Sequence, residues 1–195
     1  TDVSSQSLIE VVIDPRGIAT VTLNSPQTRN AMSHDLMREL RKAASELATN
    51  DKVRAIVLTG AGEIFSAGGD LKGMQRQAAN TREGRIADAT EFATTLKELD
   101  ELPKPLIGRI NGSAFGGGIG LISICDIAIG LASATFRLSE VTLGLIPATI
   151  SPYVVAKIGV PNARRTFLTA RKLDGQAAVK MGLLDEAVDS VEALD

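Results

Sequence analysis

Apolar and polar positions change their spacing several times along the chain, and each change marks an element. Two β-type apolar runs come first, Leu8–Ile13 and Ile18–Leu23, joined by Asp14-Pro15-Arg16-Gly17. Proline presets one turn dihedral and glycine accepts positive φ, so the two runs read as a hairpin. After a polar loop over 24–30 the spacing lengthens. Leu36, Met37, Leu40, Ala44 and Leu47 then share one face of a helix of about 17 residues, capped by Ser33. Val53–Thr59 is a short β-branched run ended by Gly60 and Gly62, which suits a buried strand. A short helix is predicted over 71–81, and a longer one from about Arg85 to Leu102, stopped by Pro103 and Pro105.

The same order then returns. Leu106–Ile110 reads as a strand, Gly118–Ile124 as a short buried helix, and Asp126–Gly130 and Thr135–Leu138 as strands. Pro147–Ala156, Pro161–Ala170 and Asp174–Met181 read as three further helices. Repeated strand–strand–helix units point to a layered α/β domain, with a doubly wound sheet as the competing arrangement. The repetition is architectural, without a visible sequence repeat.

At 195 residues the chain has room for one domain with a sizeable core and does not require two. A net charge of −2 with no long basic run gives no large field for nucleic acid or an anionic membrane. The lone Cys125 excludes an intrachain disulfide and cannot by itself build a zinc site, which suits a reducing compartment. No apolar run approaches the roughly 20 residues needed to cross a bilayer. The stretch Thr1 to Ser7 is polar and lacks a secretory core. A soluble, cytoplasmic protein is the expectation.

The chemistry concentrates in two glycine-rich loops. The first is Phe65-Ser66-Ala67-Gly68-Gly69-Asp70-Leu71; the second is Asn111-Gly112-Ser113-Ala114-Phe115-Gly116-Gly117-Gly118-Ile119-Gly120. Each follows an apolar β-type run and opens a helix, so each can present unpaired backbone N–H groups to a ligand that no Cβ holds away. Gly69 and Gly117 are the natural donors, and two donors converging on one oxygen make an oxyanion hole. The bland alternative is that these glycines only permit tight packing. Asp70 suits a helix cap better than catalysis.

Other templates fail. Leu121 stands where a dinucleotide fingerprint through 116–121 needs its last glycine, and no phosphate loop or nucleophile elbow occurs. The single histidine, His34, falls in the first turn of the amphipathic helix, where a surface role outweighs a catalytic one. Glu140 lies in a mostly apolar stretch from Phe136 to Gly144. Burial there would raise its carboxyl toward neutrality and suit a group that gives and takes a proton; a capping role near a helix start is the alternative.

These motifs resemble the crotonase, or enoyl-CoA hydratase/isomerase, superfamily. The resemblance starts at the hairpin, runs through Arg29-Asn30-Ala31-Met32 and both glycine loops, and reaches at least Gly159. It implies a spiral of ββα turns with perpendicular sheets, a core over about 8–158, and the start of a C-terminal helical region at about 159–195. It also implies an acyl-CoA substrate, no separate cofactor or metal, and a homotrimer or hexamer. Gly69 and Gly117 become the oxyanion donors and Glu140 the proton carrier. Ala67, Gly68 and Asp70 would line coenzyme A, and Lys72 or Arg29 would meet its phosphates, unless both are solvated surface charges. Ala31, Leu71, Gly116, Gly120 and Ser139 complete the implied substrate-binding set.

Two departures stand out. Gly120 occupies the position at which two-glutamate hydratases carry an acid, and the chain ends near where the family continues into C-terminal helices. Residues 145–154 look most like methylglutaconyl-CoA or related branched enoyl-CoA hydratases. Hydration is therefore expected, with Ser139, Ser151 or Tyr153 helping to hold water. A Δ3,Δ2-enoyl-CoA isomerase is the alternative, as is a noncatalytic acyl-CoA-binding or RNA-binding member.

Overall fold

The computed structural model describes residues 7–70, 73 and 79–195. Strands β1 (Ile9–Ile13) and β2 (Ile18–Leu23) form the expected antiparallel hairpin. Its turn is closed by the Asp14 carboxylate, which accepts from the N–H groups of Arg16 at 2.8 Å and Ile18 at 3.0 Å. Helix α1 (His34–Thr49) follows, with the Ser33 hydroxyl accepting from Leu36 N–H at 3.2 Å.

From there the chain settles into a repeating turn. Strand β3 (Ala55–Gly60) joins one sheet, β4 (Ile64–Ser66) joins another, and α2 (Arg82–Asp100) returns the chain. β5 (Leu106–Ile110), β6 (Ser113–Phe115) and α3 (Gly117–Ser123) repeat that path, and β7 (Ile127–Leu131) and β8 (Phe136–Arg137) begin it again. With β9 (Glu186–Val188), the large sheet has the order β1-β2-β3-β5-β7-β9 and the small one β4-β6-β8. Every pairing beyond the hairpin is parallel. A doubly wound sheet would keep successive strands in one layer. Here they alternate between two, as the ββα spiral requires.

The expected elements need three adjustments. β4, β6 and β9 are three residues each, too short for a periodic signal. Pro147 begins a turn, and the following helix α4 spans Ser151–Thr169, with Gly159 out of helical geometry at φ 74° just before Pro161. The two helices expected there are thus present, the first starting at Ser151 rather than Pro147 and the two meeting at the Gly159 kink; α5 (Gly175–Met181) follows. The helix expected over 71–81 lies mostly outside the described residues. Thr81 instead caps α2, accepting from Gly84 N–H at 3.1 Å.

The core forms where α1 and α2 pack over the large sheet. α1 buries Leu36, Met37, Leu40, Ala43, Ala44 and Leu47, while Val21, Leu23, Ile56, Leu58 and Ile110 fill the sheet side. α2 is anchored by its C-terminal half, where Thr95, Leu96 and Leu99 are buried. Arg41 pairs with both carboxylate oxygens of Glu98 at 2.6 and 2.5 Å. Both side chains are about two-fifths exposed, so this pair adds little to the apolar contact. No helix among the described residues is long and apolar enough to cross a membrane.

This anchoring has a direct consequence. Leu96→Ala should cost about 2–5 kcal/mol in urea unfolding, because it empties a sealed site. Ile86→Ala on the exposed half of α2, where the side chain is 50% exposed, should stay within about 0.5 kcal/mol. Equal losses at the two positions would contradict this account of how α2 is held.

Candidate active site

The small sheet explains why segments far apart in sequence meet. β4, β6 and β8 run parallel and side by side, so the chain leaves all three at the same edge. It leaves β4 as Ala67-Gly68-Gly69-Asp70, β6 as Gly116-Gly117, and β8 as Leu138-Ser139-Glu140. Paired strands stand about 4.8 Å apart, so neighbouring loops must touch. They do. Gly68 has φ +87°, and a Cβ there would stand 2.4 Å from the Phe115 carbonyl oxygen and 3.4 Å from the Gly117 nitrogen. Only glycine allows that approach.

Neither Gly69 nor Gly117 donates its backbone N–H to another described residue. Gly117 is the first residue of α3, where a helix supplies no acceptor. The direction of the Gly69 N–H follows from the other end of its own peptide unit. Met32 N–H donates to the Gly68 carbonyl at 2.8 Å. In a planar trans peptide the N–H points opposite to the C=O, so the Gly69 N–H faces away from Met32. Asp70 Oδ2 accepts from Gly73 N–H at 3.0 Å, the capping bond expected of it.

A cavity of about 890 Å³ opens at this edge and is lined by Gly69, Gly117, Glu140, Met32, Phe92 and Ile150, among others. Glu140 opens a short 3-10 turn, Glu140–Leu143. Its Oε2 is buried and has no hydrogen-bond partner among the described residues. Its Oε1 lies 3.2 Å from where a Gly116 Cβ would stand, so Gly116, at φ +47°, is what leaves room for the carboxyl. Burial pushes this carboxyl above the ordinary glutamate range. A proton carrier needs that property.

The remaining expected residues divide. Arg29, Ala31, Ala67, Asp70, Gly116 and Ser139 line the cavity. Gly68 lies behind it as the spacer between loops, and Leu71 and Lys72 fall outside the described residues. Gly120 does not line the cavity. A Cβ on it would stand 2.4 Å from Ile150 Cγ2, and Ile150 takes the wall instead. Nor do Ser151 and Tyr153 line it; the Ser151 hydroxyl donates to the Ala148 carbonyl at 2.8 Å.

His34 is partly exposed, as its place in the first turn of α1 suggests, yet it also reaches the site. It lines the cavity, with its ring 3.4 Å from Glu91 and 3.8 Å from Asp88, both on α2. Sequence gave no sign of the α2 contribution, Ala89 and Phe92, because helical spacing cannot show what a helix faces. No group of three or more His, Cys, Asp or Glu arranged to hold a metal ion occurs among the described residues.

Comparison with known proteins agrees with this architecture. The enoyl-CoA hydratase/isomerase family matches residues 14–195. The chain belongs to that family. It is 39% identical over 188 residues to the enoyl-CoA hydratase ACTT6 of Alternaria alternata, covering 94% of this chain and 60% of that protein. It is 33% identical over 194 residues to the short-chain-enoyl-CoA hydratase of Clostridium acetobutylicum, covering 96% of this chain and 72% of the relative. A crystal structure of an enoyl-CoA hydratase from Shewanella pealeana superposes with a TM-score of 0.92 at 38% identity, covering 95% of this chain and 70% of the other. The chain thus spans about 60% of the length of the first curated relatives it matches. In this chain the two glycine loops follow adjacent strands, β4 and β6, and Glu140 follows the next, β8.

The environment of Glu140 predicts how stability depends on pH. The folded protein binds this proton more tightly than the unfolded chain, so ionising the carboxyl costs stability. That cost is absent below the ordinary value of 4.5 and grows as pH rises through the raised folded value. Glu140→Gln should therefore melt higher than the parent at about pH 8 and at nearly the same temperature at about pH 4. A melting difference that does not change with pH would contradict a carboxyl that burial holds above its ordinary range.

Proposed function

We propose that the protein adds water across the C2=C3 double bond of an enoyl-CoA thioester. The observation that carries this reading is the meeting, at the edge of the small sheet, of two amides with no acceptor among the described residues and one carboxyl with a buried oxygen. The thioester oxygen sits between the N–H groups of Gly69 and Gly117. As water oxygen bonds to C3, the C2=C3 electrons shift and negative charge builds on that oxygen as an enolate. One such donor is worth about 3–4 kcal/mol in the transition state. Glu140 removes a proton from the attacking water and returns one to C2, giving the 3-hydroxyacyl-CoA.

In this reading one carboxyl serves both ends of the addition, since position 120 is a glycine and Ile150 fills the space beside it. The two oxygens of that carboxyl have different surroundings, one against Gly116 and one buried with no partner among the described residues, which supports a division of labour between them. Hydratase is preferred to isomerase because the relatives compared are named hydratases. Arg29 and Lys72 are the proposed contacts for the coenzyme A phosphates. Coenzyme A is part of the substrate and no other cofactor is invoked. Assembly as a homotrimer or hexamer, a cytoplasmic location and a branched acyl group of the methylglutaconyl kind complete the proposal.

Loss of the conjugated thioester absorbance tests it, with crotonyl-CoA, 3-methylglutaconyl-CoA and a trans-3-enoyl-CoA as separate substrates. Hydration of at least one 2-enoyl substrate is expected, with Glu140→Gln slower by about 10²–10⁴-fold. Near-parental turnover by that variant would remove Glu140 from the mechanism. Interconversion of 2- and 3-enoyl isomers without water uptake would replace hydratase by isomerase.

A further inference from the structure

Arg29 and Asn30 are consecutive non-glycine residues in the left-handed region, at φ 56° and 53°. Side chains rarely adopt this conformation, and when they do, something must hold them. Here the holder is Asn30 itself. It is fully buried. Its Oδ1 accepts from Ser25 N–H at 2.9 Å, and its Nδ2 donates to the carbonyls of Ala61 and Ile64, each at 2.9 Å. Its backbone N–H donates to the Ser25 carbonyl, and its own carbonyl accepts from the Ser66 hydroxyl, again at 2.9 Å. Every strong hydrogen-bonding group of the side chain is used.

These bonds converge on the strand that feeds the first glycine loop. Asn30 holds the start of β4 at Ile64 through its side chain and the end of β4 at Ser66 through its backbone. The turn it forms places Arg29 O against Ala67 N–H at 2.8 Å and Met32 N–H against Gly68 O at 2.8 Å. The last bond matters most. The Gly68–Gly69 peptide has no Cβ on either side, so sterics do little to stop it flipping. Held by Met32, its carbonyl points one way and the Gly69 N–H the other.

We propose that Asn30 is a positioning residue: its left-handed turn locks the Gly68–Gly69 peptide so that the Gly69 N–H faces the substrate oxygen. This rests on the oxyanion role given to Gly69 above. Asn30 touches no substrate and acts through Met32 and Ser66. Its removal should therefore lower turnover and leave substrate affinity nearly intact.

Two variants test it, Asn30→Gly, which still accepts positive φ, and the milder Asn30→Ser. Leu96→Ala serves as a destabilised control at a residue that does not line the cavity. Turnover of crotonyl-CoA is measured per folded molecule, together with the near-ultraviolet enolate band of bound acetoacetyl-CoA. For Asn30→Gly, kcat should fall about 10–100-fold with KM within about threefold and the enolate band weakened. Leu96→Ala should keep both readouts. Full turnover and a full enolate band in Asn30→Gly overturn the proposal, as does a loss no larger than that in Leu96→Ala. Failure of both Asn30 variants to fold also overturns it, by assigning the residue to folding alone. If the parent protein itself forms no enolate with acetoacetyl-CoA, the oxyanion reading fails first, and the Asn30 role falls with it.

Discussion

Parallel pairing among β4, β6 and β8 is the constraint from which the site follows. These strands are two or three residues long, yet their order brings residues near 69, 117 and 140 to one edge. Their contribution is geometric. A ladder this short adds few hydrogen bonds, but it fixes the separation of the loops that leave it. Gly68 then lets the first two loops touch backbone to backbone, and Gly116 lets the third bring its carboxyl up against the second. In this fold glycine matters less for flexibility than for the distance of closest approach.

The site holds two kinds of unsatisfied polar group, and they are complementary. Among the described residues the amides of Gly69 and Gly117 have no acceptor and Glu140 Oε2 has no donor. Burying the Glu140 oxygen without a partner opposes folding. The apolar core under α1 and α2 offsets that cost. An acyl-CoA thioester would supply what is missing, with an oxygen for the amides and exchangeable protons for the carboxylate.

Much of this was legible in the sequence where the signal is local. Ser33 and the Leu36–Leu47 face gave α1, and the Asp14–Gly17 turn gave the hairpin, because capping and turn chemistry act over a few residues. Glu140 stood out as a carboxylate in an apolar run. What stayed hidden depends on contacts across the fold. Gly120 read as a substrate position, but Ile150, thirty residues on by number, covers it. His34 read as surface because the facing residues of α2 lie more than fifty positions away. Asn30 lay in a stretch that carried the resemblance, but nothing local marked what its side chain holds. Its left-handed backbone and its bonds to Ser25, Ala61, Ile64 and Ser66 appear only once the chain has folded.

A crystal structure of the protein with acetoacetyl-CoA bound examines the convergence of the two amides most directly. The account expects the thioester oxygen within about 2.7–3.1 Å of both the Gly69 and Gly117 nitrogens, with the Glu140 carboxyl beside C2. An oxygen that meets only one of these amides, or a thioester seated elsewhere in the cavity, would contradict it.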